Sequence, residues 1–296
     1  MENFQELLTE RLYILVSASF VFLLLLSAAW KNGYFSFRRI DKHSDLTLPN
    51  KIFLGAFAIF LILQLFVIPI LIELWHHFYL GNDKELSLSP ELQGWVNIFG
   101  ILVSGLGMLL YFFALPRVNQ KIVLGSYALK GWKARFQDFF IAAMSWILSY
   151  PLVVAIGQIV AILLMLTYQN VEPEQTAVKQ VKAAASSTSL LVLLILSVIT
   201  IVPIIEEFLF RGFLQNWLKK FMGQWKAVAS TSFIFALFHF TSSQGMGNIE
   251  LIVSLFVLSC FLGFIYERQK SLWAPISLHA IFNAVSIILI FYVDKE

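Results

Sequence analysis

The chain has 296 residues, 59% hydrophobic and only 13% charged, with a net charge of +3, against about 45–50% apolar and ~25% charged in a globular domain. That excess of apolar surface excludes a soluble fold. Lys and Arg fall in short connections rather than in one stripe, so no nucleic-acid partner is expected, and the single cysteine, Cys260, excludes an intrachain disulfide and a thiolate zinc site.

The N-terminus reads MENFQELLTER, with Glu2, Glu6 and Glu10 ahead of Arg11. A secretory signal opens on basic residues, so the first apolar run, Leu12–Trp30, reads as a retained membrane helix. Further uncharged runs are Ile52–Ile72, Leu92–Pro116, Phe139–Gln169, Ala183–Ile205, Ala227–Ile249, Leu251–Tyr266 and Ser271–Val293. A span needs about 17–25 residues, so only Leu251–Tyr266 is short. The reading is an all-α, polytopic integral membrane protein of about eight transmembrane helices, with lipid as its solvent.

The connections alternate in charge. Those after the first, third, fifth and seventh runs carry fifteen Lys and Arg residues, among them Lys31, Arg117, Lys219, Lys226, Arg268 and Lys270; the opposite side carries five, Arg11, Lys84, Lys179, Lys182 and Lys295. By the positive-inside rule the richer side is cytoplasmic. The expected location is multi-pass in a cell membrane, the plasma membrane in a prokaryote. The polar stretch Asn170–Ser187 divides the chain into residues 1–182, with helices one to four, and residues 183–296, with the chemistry.

Ionisable side chains inside a span cost at least about 2.5–3.5 kcal/mol each, which makes them functional candidates. They cluster in the second half. Glu206, Glu207 and Arg211 stand in the segment Pro203-Ile-Ile-Glu-Glu-Phe-Leu-Phe-Arg, and two later runs carry His239 and the pair His279 and Asn283. Glu207 and Arg211 share a helix face four residues apart, whereas Glu206 is turned about 100° away. That spacing makes Glu207 and Arg211 a supporting pair and leaves Glu206 to act on a water.

Depth agrees with this grouping. Glu206 precedes Lys219 by 13 residues and His239 follows Lys226 by 13, about 20 Å of helix from one basic loop at ~1.5 Å per residue. His279 and Asn283 lie nine and 13 residues after Lys270, about 14 and 20 Å from the same side. All three helices therefore bring their polar groups to similar levels. Pro203, one turn before Glu206, frees the carbonyl of Ile199 by lacking an N–H.

EEFLFR, FALFH and HAIFN, in that order between Pro203 and Asn283, resemble the EExxxR, FxxxH and HxxxN signatures of the CAAX-protease and bacteriocin-processing (CPBP, or Abi) family, which includes the type II CAAX prenyl proteases. The resemblance implies an intramembrane glutamate-type endopeptidase acting on a membrane-associated peptide or lipidated protein. It assigns water activation to Glu206 with help from His239, oxyanion stabilisation to His279 and Asn283, and organisation of the site to Glu207 and Arg211.

Two other classes fit parts of the pattern. A relative that keeps the scaffold without catalysis, as an anchor or immunity factor, would retain the helices but has no use for costly buried acids. Carboxylates with histidines also suit zinc or iron, yet HExxH is absent, so no cofactor is expected and a divalent metal is the alternative. Glu73, His76 and His77, at the end of the second run, read as an interfacial cluster.

Overall fold

The computed structural model describes residues 2–36, 47–80, 90–125, 131–168, 176–185 and 187–293. Arg38, Arg39, Lys42, Lys84, Lys130, Lys295 and part of the Asn170–Ser187 connection lie outside these. Every long element among the described residues is helical. α1 is Glu2–Lys31; α2 runs through Asn50–Ile62, Leu63–Val67 and Ile68–Leu80; α3 is Pro90–Ala114, α4 Arg117–Leu124, α5 Trp132–Tyr168 and α6 Thr176–Ala184. α7 begins at Thr188 and passes through two π-helical segments, Ser197–Ile201 and Phe208–Gln215. The chain breaks at Gly223 (φ 74°, ψ 176°), and α8 is residues 224–237. α9 is Gly247–Gln269 and α10 Trp273–Val293.

Seven helical runs among the described residues are long and apolar enough to cross a membrane, which makes the protein an all-α, multi-pass membrane protein. One of them, Thr188–Leu237, has 50 residues and folds back at Gly223: the ring of Phe210 on α7 lies 5.0 Å from that of Phe235 on α8. Dividing this run at the hairpin gives eight apolar helical legs among the described residues.

Which pass is short differs from the expectation. The run Ala227–Ile249 does not form one helix; α8 stops at Leu237, and residues 238–246 form turns and a single 3₁₀ turn, Ser242–Gln244. The marginal run Leu251–Tyr266 belongs instead to the full 23-residue α9. Hydropathy registers side chains and not the backbone, so an apolar segment such as Phe238–Phe240 hides a helix end. α8, about 21 Å long, is shorter than the ~30 Å hydrocarbon core.

Four connections meet at one end of the molecule. Lys220 Nζ donates to the carbonyl of Leu48 (2.9 Å) and to Asn50 Oδ1 (2.7 Å). Arg268 Nε donates to the Tyr34 carbonyl (2.7 Å), and Leu272 N–H donates to the Leu124 carbonyl (2.8 Å). Gly125, at φ +85°, lies against the Lys270 carbonyl, and a Cβ there would also approach Ser271 N within 2.9 Å. Only glycine combines that backbone angle with that proximity.

The largest apolar core joins α2, α3 and α7 through Ile52, Ala56, Met108, Phe112, Ile205, Leu209 and Phe213. A second packs α5, α9 and α10 around Leu258, Leu262, Ile265 and Leu278. A third includes Ile98, Val181, Ala184, Leu190 and Leu194, so it contains residues on both sides of position 182. α7, between these cores, carries the ionisable residues.

Candidate active site

Glu206 and Glu207 end the short α-helical turn Val202–Glu207 between the two π segments of α7. π-helical turns are rare, and they recur at functional sites. Each has an identifiable partner here. In the first, the Val202 N–H reaches back five residues to the Ser197 carbonyl; the next bond in that register would come from Pro203, which has no N–H. The carbonyl left over is that of Val198, and Asn283 Nδ2 on α10 donates to it at 2.9 Å. The π register thus moves the released carbonyl one residue from Ile199, where α-helical counting put it. The second segment is capped by Asn216, whose Nδ2 donates to the carbonyls of Gly212 (2.9 Å) and Arg211 (3.3 Å) and to the Tyr266 hydroxyl oxygen (2.6 Å).

The two adjacent carboxylates have opposite surroundings. Glu207 is fully buried. Its Oε2 pairs with Arg211 Nε at 3.1 Å, and its Oε1 accepts from Arg211 Nη1 at 3.3 Å and from His279 Nδ1 at 2.9 Å. Arg211, equally buried, turns Nη2 to the hydroxyl (2.7 Å) and carbonyl (3.1 Å) of Ser259 on α9. The Phe235 ring centroid lies 4.7 Å from its guanidinium carbon. Guanidinium planarity lets one side chain serve a carboxylate and a second helix together. Glu206, by contrast, is 22% exposed and its Oε2 accepts no hydrogen bond.

Both histidines turn the same nitrogen away from Glu206. His239 Nδ1 is 2.9 Å from the Phe235 carbonyl, an oxygen that can only accept, so Nδ1 carries the hydrogen. His279 Nδ1 likewise donates to Glu207. Their Nε2 atoms point at Glu206, His239 Nε2 at 3.8 Å from Oε1 and His279 Nε2 at 3.7 Å from Oε2. These gaps exceed a direct hydrogen bond. A neutral His279 so anchored has no hydrogen on Nε2, and it donates from that atom only when doubly protonated.

The fold therefore brings Glu206, Glu207, Arg211, His239 and His279 into one cluster, with Asn283 one helical turn from His279 and bonded to Val198. Among the described residues, no group of three or more His, Cys, Asp or Glu side chains has metal-binding geometry. Glu73 and His77 lie exposed near the end of α2, apart from the cluster; the side chain of His76 is outside the described residues.

Ser259, Gln215, Asn216 and Phe235 were not marked as site partners by sequence reasoning. Ser, Gln and Asn inside a span carry no charge to stand out, and Phe235, the first residue of the FxxxH match, carries no polar group. A non-hydrophobic stripe at helical spacing on α9, Ser259, Gly263 and Glu267, is the available signal.

This is an α-helical membrane protein with a largely buried carboxylate and histidine cluster carried by α7, the turn after α8 and α10. Residues 188–285, from the start of α7 into α10, match the family model described as Type II CAAX prenyl endopeptidase Rce1-like. The matched segment is thus similar to CAAX-protease-type endopeptidases, and it contains Glu206, Glu207, Arg211, His239, His279 and Asn283. Neither the curated proteins nor the solved structures yield a match to the chain.

Proposed function

We propose that the protein hydrolyses a peptide bond by a glutamate-activated water, in a substrate that reaches the site from the bilayer. The observation that carries this reading is the contrast between the carboxylates: Glu207 has both oxygens engaged by Arg211 and His279, while Glu206 is part-exposed, its Oε1 facing His239 Nε2 and its Oε2, which accepts no hydrogen bond, facing His279 Nε2.

A water between Glu206 and His239 gives one hydrogen to each, since both are acceptors there. As its oxygen bonds to the scissile carbonyl carbon, Glu206 takes the proton and the carbonyl becomes an oxyanion. A doubly protonated His279 donates to that oxyanion from Nε2, balanced by Glu207 on its other nitrogen. The second N–H of Asn283, not used on Val198, is a further donor. The C–N bond then breaks, the proton on Glu206 passes to the leaving nitrogen, and an acid and an amine result. Removing one oxyanion donor costs about 10²–10³ in rate, so His279 and Asn283 carry separable shares.

The substrate reading rests on a groove of about 270 Å³ between α3 and α7. It is lined by Ile201, Ile204, Ile205 and Phe208 on α7 and by Leu102 and Leu106 on α3. Leu102 and Leu106 are exposed, so the groove opens sideways, where lipid tails lie. An apolar side chain or a lipid attached to a peptide suits it, and Ile205 is next to Glu206 in sequence.

The test is cleavage of a peptide library, with lipidated members, by the purified detergent-solubilised protein beside Glu206→Ala and His239→Ala, with and without a chelator. Cleavage lost in both variants and indifferent to chelation is the expected result. Activity abolished by the chelator alone would transfer the site to a divalent metal. A folded wild type that cleaves nothing the variants do not would favour the non-catalytic scaffold.

A further inference from the structure

α7 and α9 are joined by buried polar rungs at a constant offset of 48 residues. Arg211 bonds Ser259, Gln215 Nε2 donates to the Gly263 carbonyl (3.1 Å), and Lys219 Nζ pairs with Glu267 Oε1 (2.7 Å). Gln215 Nε2 also donates to Glu267 Oε1 at 3.0 Å. The helices approach closely: a Cβ on Gly263 would lie 2.8 Å from Gln215 Oε1. From Glu207 to Lys219 the ladder covers about 18 Å of helix.

Glu267 terminates it. It is fully buried, and its two oxygens take four donors: Lys219 and Gln215 on Oε1, Lys270 (2.7 Å) and Gln224 (2.9 Å) on Oε2. Those donors come from α7, from the start of α8 and from the turn before α10. One carboxylate thus ties together the three helices that bear Glu207, His239 and His279, at the end remote from the cluster. The reaction described above does not use it, and it belongs to none of the three motifs.

We propose that Glu267 is a positioning residue for the catalytic cluster, fixing the rotation of α7 against α9 so that Glu207 holds His279 with Nε2 on Glu206. A helix rotates by about 100° per residue of slip. The π-helical segment Phe208–Gln215 lies inside the ladder and supplies a place where such a slip could be absorbed. With Glu267 in place, every rung must break together for α7 to turn; without it, Gln215 keeps one bond and Lys219 none of those seen here.

The activity readout rests on the protease reading, so the experiment has a second arm that does not. Glu267→Gln and Glu267→Asp are purified and compared with wild type for kcat, KM and the ring ¹⁵N resonances of labelled histidines. Mutations along such networks change coupling by about 2- to 30-fold. The expected result for Glu267→Gln is a fall in kcat of about tenfold at unchanged KM, displaced His279 resonances and unmoved His77 resonances, with partial recovery in Glu267→Asp. A folded Glu267→Gln protein with unmoved His279 resonances overturns the proposal, whatever its kcat. If wild type cleaves nothing, the resonances decide alone: displacement sustains Glu267 while the protease reading falls. If Glu267→Gln does not fold, Gln215→Ala, which cuts a rung and spares both lysine pairs, is judged by the same criteria.

Discussion

His279 is gripped by Glu207 through Nδ1 at 2.9 Å and presents Nε2 to Glu206 at 3.7 Å. One ring thereby links two neighbouring carboxylates that have different work. It follows that the two glutamates, adjacent in sequence, respond oppositely to substitution.

Glu206→Gln should abolish cleavage while leaving thermal stability near wild type, because the residue makes no buried ion pair shorter than 3.7 Å. Glu207→Ala should unfold the protein more readily, since removing one member of a buried pair costs about 3–5 kcal/mol by stranding the other charge. Thermal denaturation in detergent, read beside cleavage, separates the two; equal loss of stability in both variants would refute the division.

Arg211→Lys should not behave conservatively. A lysine supplies no planar fork to reach Glu207 and Ser259 together, so one of the two partners is left buried without its donor at a cost of about 1–3 kcal/mol. The measurement is the midpoint of unfolding, with Ser259→Ala as companion: the double variant should lose less than the sum of the singles.

Pro203 and Asn283 should be energetically coupled. Asn283→Ala strands the Val198 carbonyl in a low-dielectric interior, costing about 1–3 kcal/mol. Restoring a backbone N–H with Pro203→Ala gives that carbonyl a partner within its own helix, so Asn283→Ala should cost less in that background. A double-mutant cycle on unfolding tests this, and strict additivity would show that Asn283 does not serve the π turn.

Lys226 and Ser242 should face opposite sides of the membrane, although only 16 positions separate them. In a Cys260→Ser background, an impermeant maleimide should label Ser242→Cys in intact cells and Lys226→Cys only after permeabilisation, if the basic end is cytoplasmic. Labelling of both from one side would mean that α8 is not a pass. Non-helical backbone at membrane depth is tolerated where protein or water covers it, and the side chain of Asn248 provides part of that cover by bonding the backbone of Thr241 and Gly245.

The membrane class, the all-helical fold and the grouping of Glu206, Glu207, Arg211, His239, His279 and Asn283 were legible in the chain. Burial of charge in an apolar run is costly wherever the run ends up, and residue counts from basic loops measure depth without knowledge of packing. The end of α8 was not legible, because Phe238, His239 and Phe240 continue an apolar stretch while the backbone leaves the helix. Nor were the π segments: the first takes a bond from another helix, Asn283 to Val198, and the second is capped by the Asn216 side chain folding back onto Gly212.

What the tertiary structure decided is the assignment of partners. Sequence spacing paired Glu207 with Arg211, but the role of Nδ1 on His279 depends on a carboxylate brought in from 72 residues away by the fold. Glu267 shows the same limit at larger distance. In sequence it is one acid beside Arg268 and Lys270 at a helix end; folded, it collects donors from residues 215, 219, 224 and 270. Local sequence reports the cost of placing a charge, and only the packing of helices far apart in the chain determines which neighbours offset it.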